Sequence, residues 1–496
     1  MWNQTCLHPS GQRGAVSAAL ALGLLALVHL PSAGAALDYR PLDHEAQGIQ
    51  QEVLEIGADA YTAADAARAG PAERQDALGT LVRLLALQRQ GQAQGDEDEV
   101  NRARLEFDYG LHEDALALLN RLSDRAIGPS ARDRFRLALA KTWAERGDLD
   151  RAADMLSQLS AVQGSAEQAE RSLLQAGILM AKERNAEAAA LLENVQSPPE
   201  WAAYARFNRA AALARAGRGD AAASVLESLG RIESTDQEML ALRDKANIAL
   251  GFLRLAGRQP GPAKDAFNRV RLDSPFSTKA LYGLGWSDFE QGNVARALIP
   301  WNELQQRRVT DSTVQEVWLM VPYAQWRSGA YRDAVQSYRE AVSLLVDDLK
   351  QFDTLAADAR TGALVNALIA ANTGDLPGGA ITLPGGYPVP YLIGLTMDGR
   401  YVEAFTTYRH LRDQQQRLDQ WAKRLQGSGV HADLQTRIAA AQSRLSRALA
   451  AHEAFLGDLA QSWVEPYRRR TERLQLRARE ELARLLDEIA LGAGRK

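Results

Sequence analysis

The chain has 496 residues, 46% of them hydrophobic and 24% charged, with a net charge of −4 at neutral pH. That composition supports a packed core, shows no long segment of disordered character, and lacks the basic excess of a nucleic-acid binder. The only cysteine, Cys6, stands ahead of the first apolar run.

That run is the first element. Residues 15–30 read AVSAALALGLLALVHL, preceded by Arg13 and followed by PSAGAA, with Ala33 and Ala35 in A-x-A register. The pattern is that of a secretory signal peptide over residues 1–35, cut near Ala35. The run is short for a membrane span, and nothing later is long and apolar enough to cross a bilayer. Once cut, the chain is cysteine-free, with no disulfide, thiolate metal site or thiol nucleophile.

Residues 36–96 predict a helical region, two helices split near Gly70-Pro71, and the acidic stretch GQAQGDEDE links it to the first repeat. From 97 to 371 a pattern of small residues recurs. Residues 279–301 read KALYGLGWSDFEQGNVARALIPW, and Gly251 stands 34 residues before Gly285 with the same neighbours around it. Counting from the start of each unit, position eight is small (Gly251, Gly285), fifteen is glycine (Gly147, Gly217, Gly292, Gly329, Gly399) and twenty is alanine (Ala152, Ala222, Ala297, Ala334, Ala404). Position twenty-four is large in Phe267, Trp301, Tyr338 and Tyr408. The physical reading is a helix, a turn closed by a left-handed glycine, and a second helix lying close on the first. One such unit cannot bury its apolar face alone, so units stack.

Residues 372–390 interrupt the array with a Gly/Pro-rich loop, NTGDLPGGAITLPGGYPVP, readable as a surface linker or as a functional loop. It lacks the lysine of a phosphate loop. A last repeat comes next, at 391–412. Residues 413–496 predict long helices: Leu434, Ile438, Ala441, Leu445, Ala448, His452, Phe455 and Leu459 form a heptad seam, which Pro466 is expected to break. The resulting hairpin or bundle either caps the array or mediates oligomerisation. Seven arginines between Arg468 and Arg484 make either a solvated face with local ion pairs or a patch for anionic lipid or polymer.

The repeat pattern resembles the tetratricopeptide repeat (TPR) family, most closely over residues 201–344. The fold expected is all-α, a TPR-like helical-repeat solenoid with a C-terminal helical hairpin or bundle. The chain departs from the family where Trp143 alone supplies the aromatic at position eleven, where Pro322 holds position eight, and where Pro300 lies within a second helix. Each proline should kink its helix, at about 3 kcal/mol without compensation.

The resemblance implies a concave face lined by positions two, five, nine, twelve and thirteen of the first helices. Those positions hold Tyr204, Phe207, Lys245, Phe252, Lys279, Tyr282, Trp286, Phe289, Tyr323, Trp326 and Arg327, with Arg215 on the same face. An aromatic stripe edged with cations suits an extended peptide or a glycan; alternatively the rings pack between units. The family's carboxylate-clamp set is absent. No metal or catalytic constellation emerges: the histidines left after cleavage, His44, His112, His410, His431 and His452, lack zinc-ligand spacing, and no G-x-S-x-G elbow is present. The expectation is a non-catalytic periplasmic scaffold or adaptor with no cofactor, binding envelope proteins or their extended segments. A glycan-binding module for peptidoglycan or exopolysaccharide is the alternative, and an enzyme sited in the 372–390 loop a third.

Overall fold

The computed structural model describes residues 39–61, 77–89, 96–122, 127–145, 147–160, 164–307, 312–371, 387, 389–396, 398–425 and 432–493. The expected signal peptide, most of the Gly/Pro-rich loop, the Gly70-Pro71 split and His431 lie outside these residues. Twenty helices and no strand occur among the described residues. The N-terminal pair is α1 (Arg40–Ala60) and α2 (Ala77–Arg89). The repeat pairs come next: α3 (Asp96–Asp108) and α4 (His112–Arg121), α5 (Pro129–Glu145) and α6 (Leu149–Ser157), α7 (Ser165–Ala181) and α8 (Asn185–Glu193). They continue with α9 (Pro199–Arg215) and α10 (Gly219–Leu229), α11 (Gln237–Ala256) and α12 (Pro260–Asn268), α13 (Ser277–Glu290) and α14 (Val294–Gln306), α15 (Ser312–Arg327) and α16 (Tyr331–Arg360). The chain ends with α17 (Ala363–Ala371), α18 (Val389–Thr396), α19 (Gly399–Leu425) and α20 (Ala432–Ala493). This is a TPR-type helical-repeat fold.

The small residues hold the pairs together. Ala152, Ala222, Ala263, Ala297, Ala334 and Ala404 are all fully buried. A Cβ built on Gly285 would fall 2.1 Å from Nε1 of Trp301, and one on Gly251 would fall 2.5 Å from Cε1 of Phe267. Glycine at position eight thus makes room for the large residue at position twenty-four of the same unit. Phe267 also meets Gly283 of the following unit, so it seals two neighbours at once. Trp301 is fully buried and donates through Nε1 to the Tyr282 carbonyl at 3.2 Å.

The turns agree with the glycine pattern at Gly110, Gly147, Gly217, Gly292 and Gly329, whose φ values run from 76° to 89°. Two units reach the same conformation without glycine, at Glu183 (φ 59°) and Arg258 (φ 56°). Gly399 departs from expectation: it opens α19, and Asp398 shapes the turn by accepting from the Arg400 backbone N–H at 2.9 Å and pairing with its guanidinium.

Neither Pro300 nor Pro322 ends its helix. Pro466, expected to break the C-terminal line, also lies inside α20, a continuous helix of 62 residues. Packing on both sides explains this. Before the proline, Leu456, Leu459, Ala460 and Val464 are buried in the terminal core; after it, Ala478 and Leu485 are buried against Val314, Trp318, Tyr338 and Ala341. Contacts on either flank hold the axis through a residue that would otherwise interrupt it.

The heptad seam of α20 is buried along its full expected length, from Leu434 to Leu459. It packs on α19 and on α1. Arg437 donates to Asp59 at 2.7 Å, and Arg444 pairs with Glu52. The N-terminal helices and the C-terminal helices, expected as separate flanks, therefore share one core. Further along, α20 runs antiparallel to α16: Gly457 faces Ala359, Arg468 pairs with Asp353, and Ala478 and Leu485 lie with Tyr338. It runs parallel to α15, from the Glu316–Arg470 pair to Trp326, which donates to Glu488 at 2.9 Å. That is the place a further first helix would take, so α20 caps the array. A buried hydrogen-bond chain, Thr471 to Gln315 at 3.2 Å and Gln315 to Asp348 at 2.7 Å, sets its register.

Candidate partner-binding face

The first helices of the central units, α9, α11, α13 and α15, touch one another in order and form one face. The expected site residues divide upon it. Phe207 (5% exposed), Phe252 (8%) and Tyr323 (8%) are buried, so they join units rather than offer contact area. Tyr204, Lys245, Lys279, Tyr282, Trp286, Phe289 and Trp326 are half-buried, as is Arg215, and Arg327 is exposed.

The rings form a chain across unit boundaries. Phe252 lies 6.4 Å from Tyr282, Tyr282 6.2 Å from Trp286, Trp286 5.8 Å from Phe289, Phe289 5.9 Å from Tyr323 and Tyr323 5.7 Å from Trp326, measured between centroids. Trp286 meets Tyr282, Phe289 and Trp301 at interplanar angles of 79° to 84°. Edge-to-face pairs of this kind contribute about 0.5–1.5 kcal/mol beyond area burial. The stripe is therefore both a recognition candidate and the seam between units.

Polar groups anchor its two ends. Tyr204 donates its hydroxyl to Glu238. Burial, then that carboxylate, push the Tyr204 phenol up to about 12. Midway along it Tyr282 donates to Glu316 at 2.9 Å, Glu316 also accepts from Arg470 of α20 at 2.6 Å, and at the far end Trp326 donates to Glu488 of α20 at 2.9 Å. Burial, then the Glu316 charge, raise the Tyr282 phenol well above its ordinary value. The arginine stretch that contributes Arg470 is largely spent on ion pairs, Arg468 with Asp353 and Glu472, Arg469 with Glu465 and Arg484 with Glu481. These neutralise much of the charge that an anionic polymer would need, and the sequence alone gave no sign of α20 at this end of the face.

Among the described residues no group of His, Asp, Glu or Cys side chains could hold a metal ion. His410 stacks on Tyr109, with ring centroids 4.5 Å apart, and His452 is buried in the α20 seam. No helix among the described residues is long and apolar enough to cross a membrane.

No family model matches the chain, and no curated protein matches it. Solved structures align over long stretches. The apo form of RapI is 13% identical, covering 78% of this chain and 99% of its own, with a TM-score of 0.42. A Rap protein complexed with Competence and Sporulation Factor is 13% identical over 83% of this chain and 99% of its own, with a TM-score of 0.28. The Cut9–Hcn1 hetero-tetramer of the APC/C is 14% identical over 86% of this chain and 98% of its own, with a TM-score of 0.23. These superpositions are loose, and the fold rests on the chain's own helices and their packing.

Proposed function

We propose that this protein is an exported, non-catalytic scaffold that binds other proteins of the cell envelope through the first-helix face of its central units. The observation that carries this reading is the division of the aromatic stripe. Phe207, Phe252 and Tyr323 are buried as unit seams, while Tyr282, Trp286 and Phe289 keep accessible surface side by side on α13, and Tyr204 keeps its own on α9. Half-exposed aromatics held rigidly by their neighbours supply contact area with few rotors to freeze, as interface anchors do. Export to the periplasm is supported by the leader over residues 1–35 and by the absence of any cysteine after Cys6.

A glycan ligand fits this geometry less well. Sugars stack on flat, open ring faces, whereas Trp286 is enclosed edge-to-face by three other rings.

The test is a melting series with Trp286→Ala and Trp301→Ala, alongside capture of partners from envelope extract. Trp301 is fully buried, so its truncation should cost about 3–5 kcal/mol of stability. Trp286→Ala should melt closer to wild type and weaken partner capture by about 2 kcal/mol. Equal destabilisation by the two variants would make the stripe core alone. Unchanged capture by a stable Trp286→Ala would exclude the face.

A further inference from the structure

Among the described residues, two lysines on this face have no acid to answer them. Lys245 and Lys279 hold position two of consecutive units, on α11 and α13. In the flanking units the same position is satisfied within the chain: Tyr204 bonds Glu238, and Glu316 accepts from Tyr282 and Arg470. The Lys245 ammonium instead lies 4.8 Å from the centroid of the Phe207 ring. No carboxylate among the described residues pairs with either lysine, although both are half-buried. Acids on the same helices are committed elsewhere, Asp244 to Arg271 and Asp288 to Lys264.

The consequence is electrostatic. Burial, then the nearby Lys279 charge, lower the Lys245 pKa, so the free protein carries a like-charge pair part-way out of water. An anion spanning both ammonium groups relieves that repulsion, and charge complementarity of this kind selects a partner and its register. Adjacent packed helices lie about 8–10 Å apart, which sets the spacing of the ligand's charges.

We infer that the face of α11 and α13 binds an acidic peptide segment, whose side-chain carboxylates, about 10 Å apart, meet Lys245 and Lys279 while its chain lies against Tyr282 and Trp286. The inference rests on the protein-binding reading above and narrows its partner to one class.

The experiment is fluorescence anisotropy on the whole mature chain with three labelled probes: a poly-L-glutamate of about twenty residues, a polygalacturonate oligomer of similar charge, and a poly-L-lysine control, at one moderate ionic strength because such contacts are screened by salt. Poly-L-glutamate should bind. The Lys245→Gln/Lys279→Gln double variant should lose at least about tenfold in affinity, about 1.4 kcal/mol. Lys245→Arg/Lys279→Arg should retain binding, and so should Lys350→Gln, which removes a lysine paired with Asp347 far along α16. If the double variant folds poorly, Lys279→Gln alone serves, with a several-fold loss expected. Unchanged affinity in the glutamine variants, or tighter binding of polygalacturonate, overturns the acidic-peptide assignment. Preference for poly-L-lysine also overturns it while leaving the protein-binding reading intact, so the two failures are distinguishable.

Discussion

The sharpest constraints act on single residues, and they are constraints of space. Gly285 and Gly177 are both helical glycines, yet their surroundings are opposite. A Cβ on Gly285 would collide with the Trp301 indole, while one on Gly177 would meet nothing within 4 Å. Gly285→Ala should therefore destabilise by about 1–3 kcal/mol through overpacking. Gly177→Ala should stabilise by about 0.5–1 kcal/mol, because alanine loses less chain entropy on entering a helix. Denaturant melts of both variants check the pair, and a loss at Gly177 equal to that at Gly285 would contradict the account. Position twenty was legible in the sequence for the same reason: only alanine fits where two helix axes approach closely, so the residue type reports the contact. Glu183 and Arg258 were not legible, because nothing in their identity signals a left-handed conformation that the repeat geometry imposes. Nor did ring chemistry tell Phe252 from Trp286. A phenylalanine and a tryptophan at the same spacing look alike until burial separates them.

At the scale of elements, α20 departs most from what the pattern predicts. Its heptad seam was readable from the four-three spacing, and its continuity through Pro466 was not, because local propensity argues for a break and only tertiary contact on both flanks overrides it. His452 sits on that seam, fully buried, with Nδ1 2.9 Å from the Ala448 carbonyl and Nε2 without a partner among the described residues. Tyr39, at the start of α1, packs edge-on against its ring. Burial holds its pKa below the ordinary 6.5, against smaller opposing effects of the Ala448 carbonyl and of Asp43 and Glu45 on α1. The unfolded chain therefore binds the proton more readily, so the stability tied to this group is complete above pH 6.5 and is lost as pH falls toward the lowered folded value. The melting temperature of the wild type should thus fall between pH 7 and pH 5, and His452→Gln should show a shallower fall over the same window. Parallel slopes for the two proteins would remove His452 as the cause.

Across the whole molecule, repetition was legible and closure was not. A period of about 34 residues announces a helical array, since each unit must bury its face on the next. No pattern within a single sequence announces that α1 packs on α20, joined by the Arg437–Asp59 pair across almost the length of the chain. The same holds for the proposed partner-binding surface. Its residues come from the repeat register, whereas the capping of its far end by Arg470 and Glu488 depends on where α20 returns. The central claim is that the first-helix face between α9 and α15 is where a partner protein sits. Photo-crosslinking in the intact envelope tests it most directly, with a photoreactive residue placed at Lys279 on that face or at Leu272, an exposed position on the turn between α12 and α13. The account predicts discrete protein adducts from position 279 and none from position 272. Adducts from 272 alone, or adducts from 279 that contain carbohydrate and no protein, would contradict it.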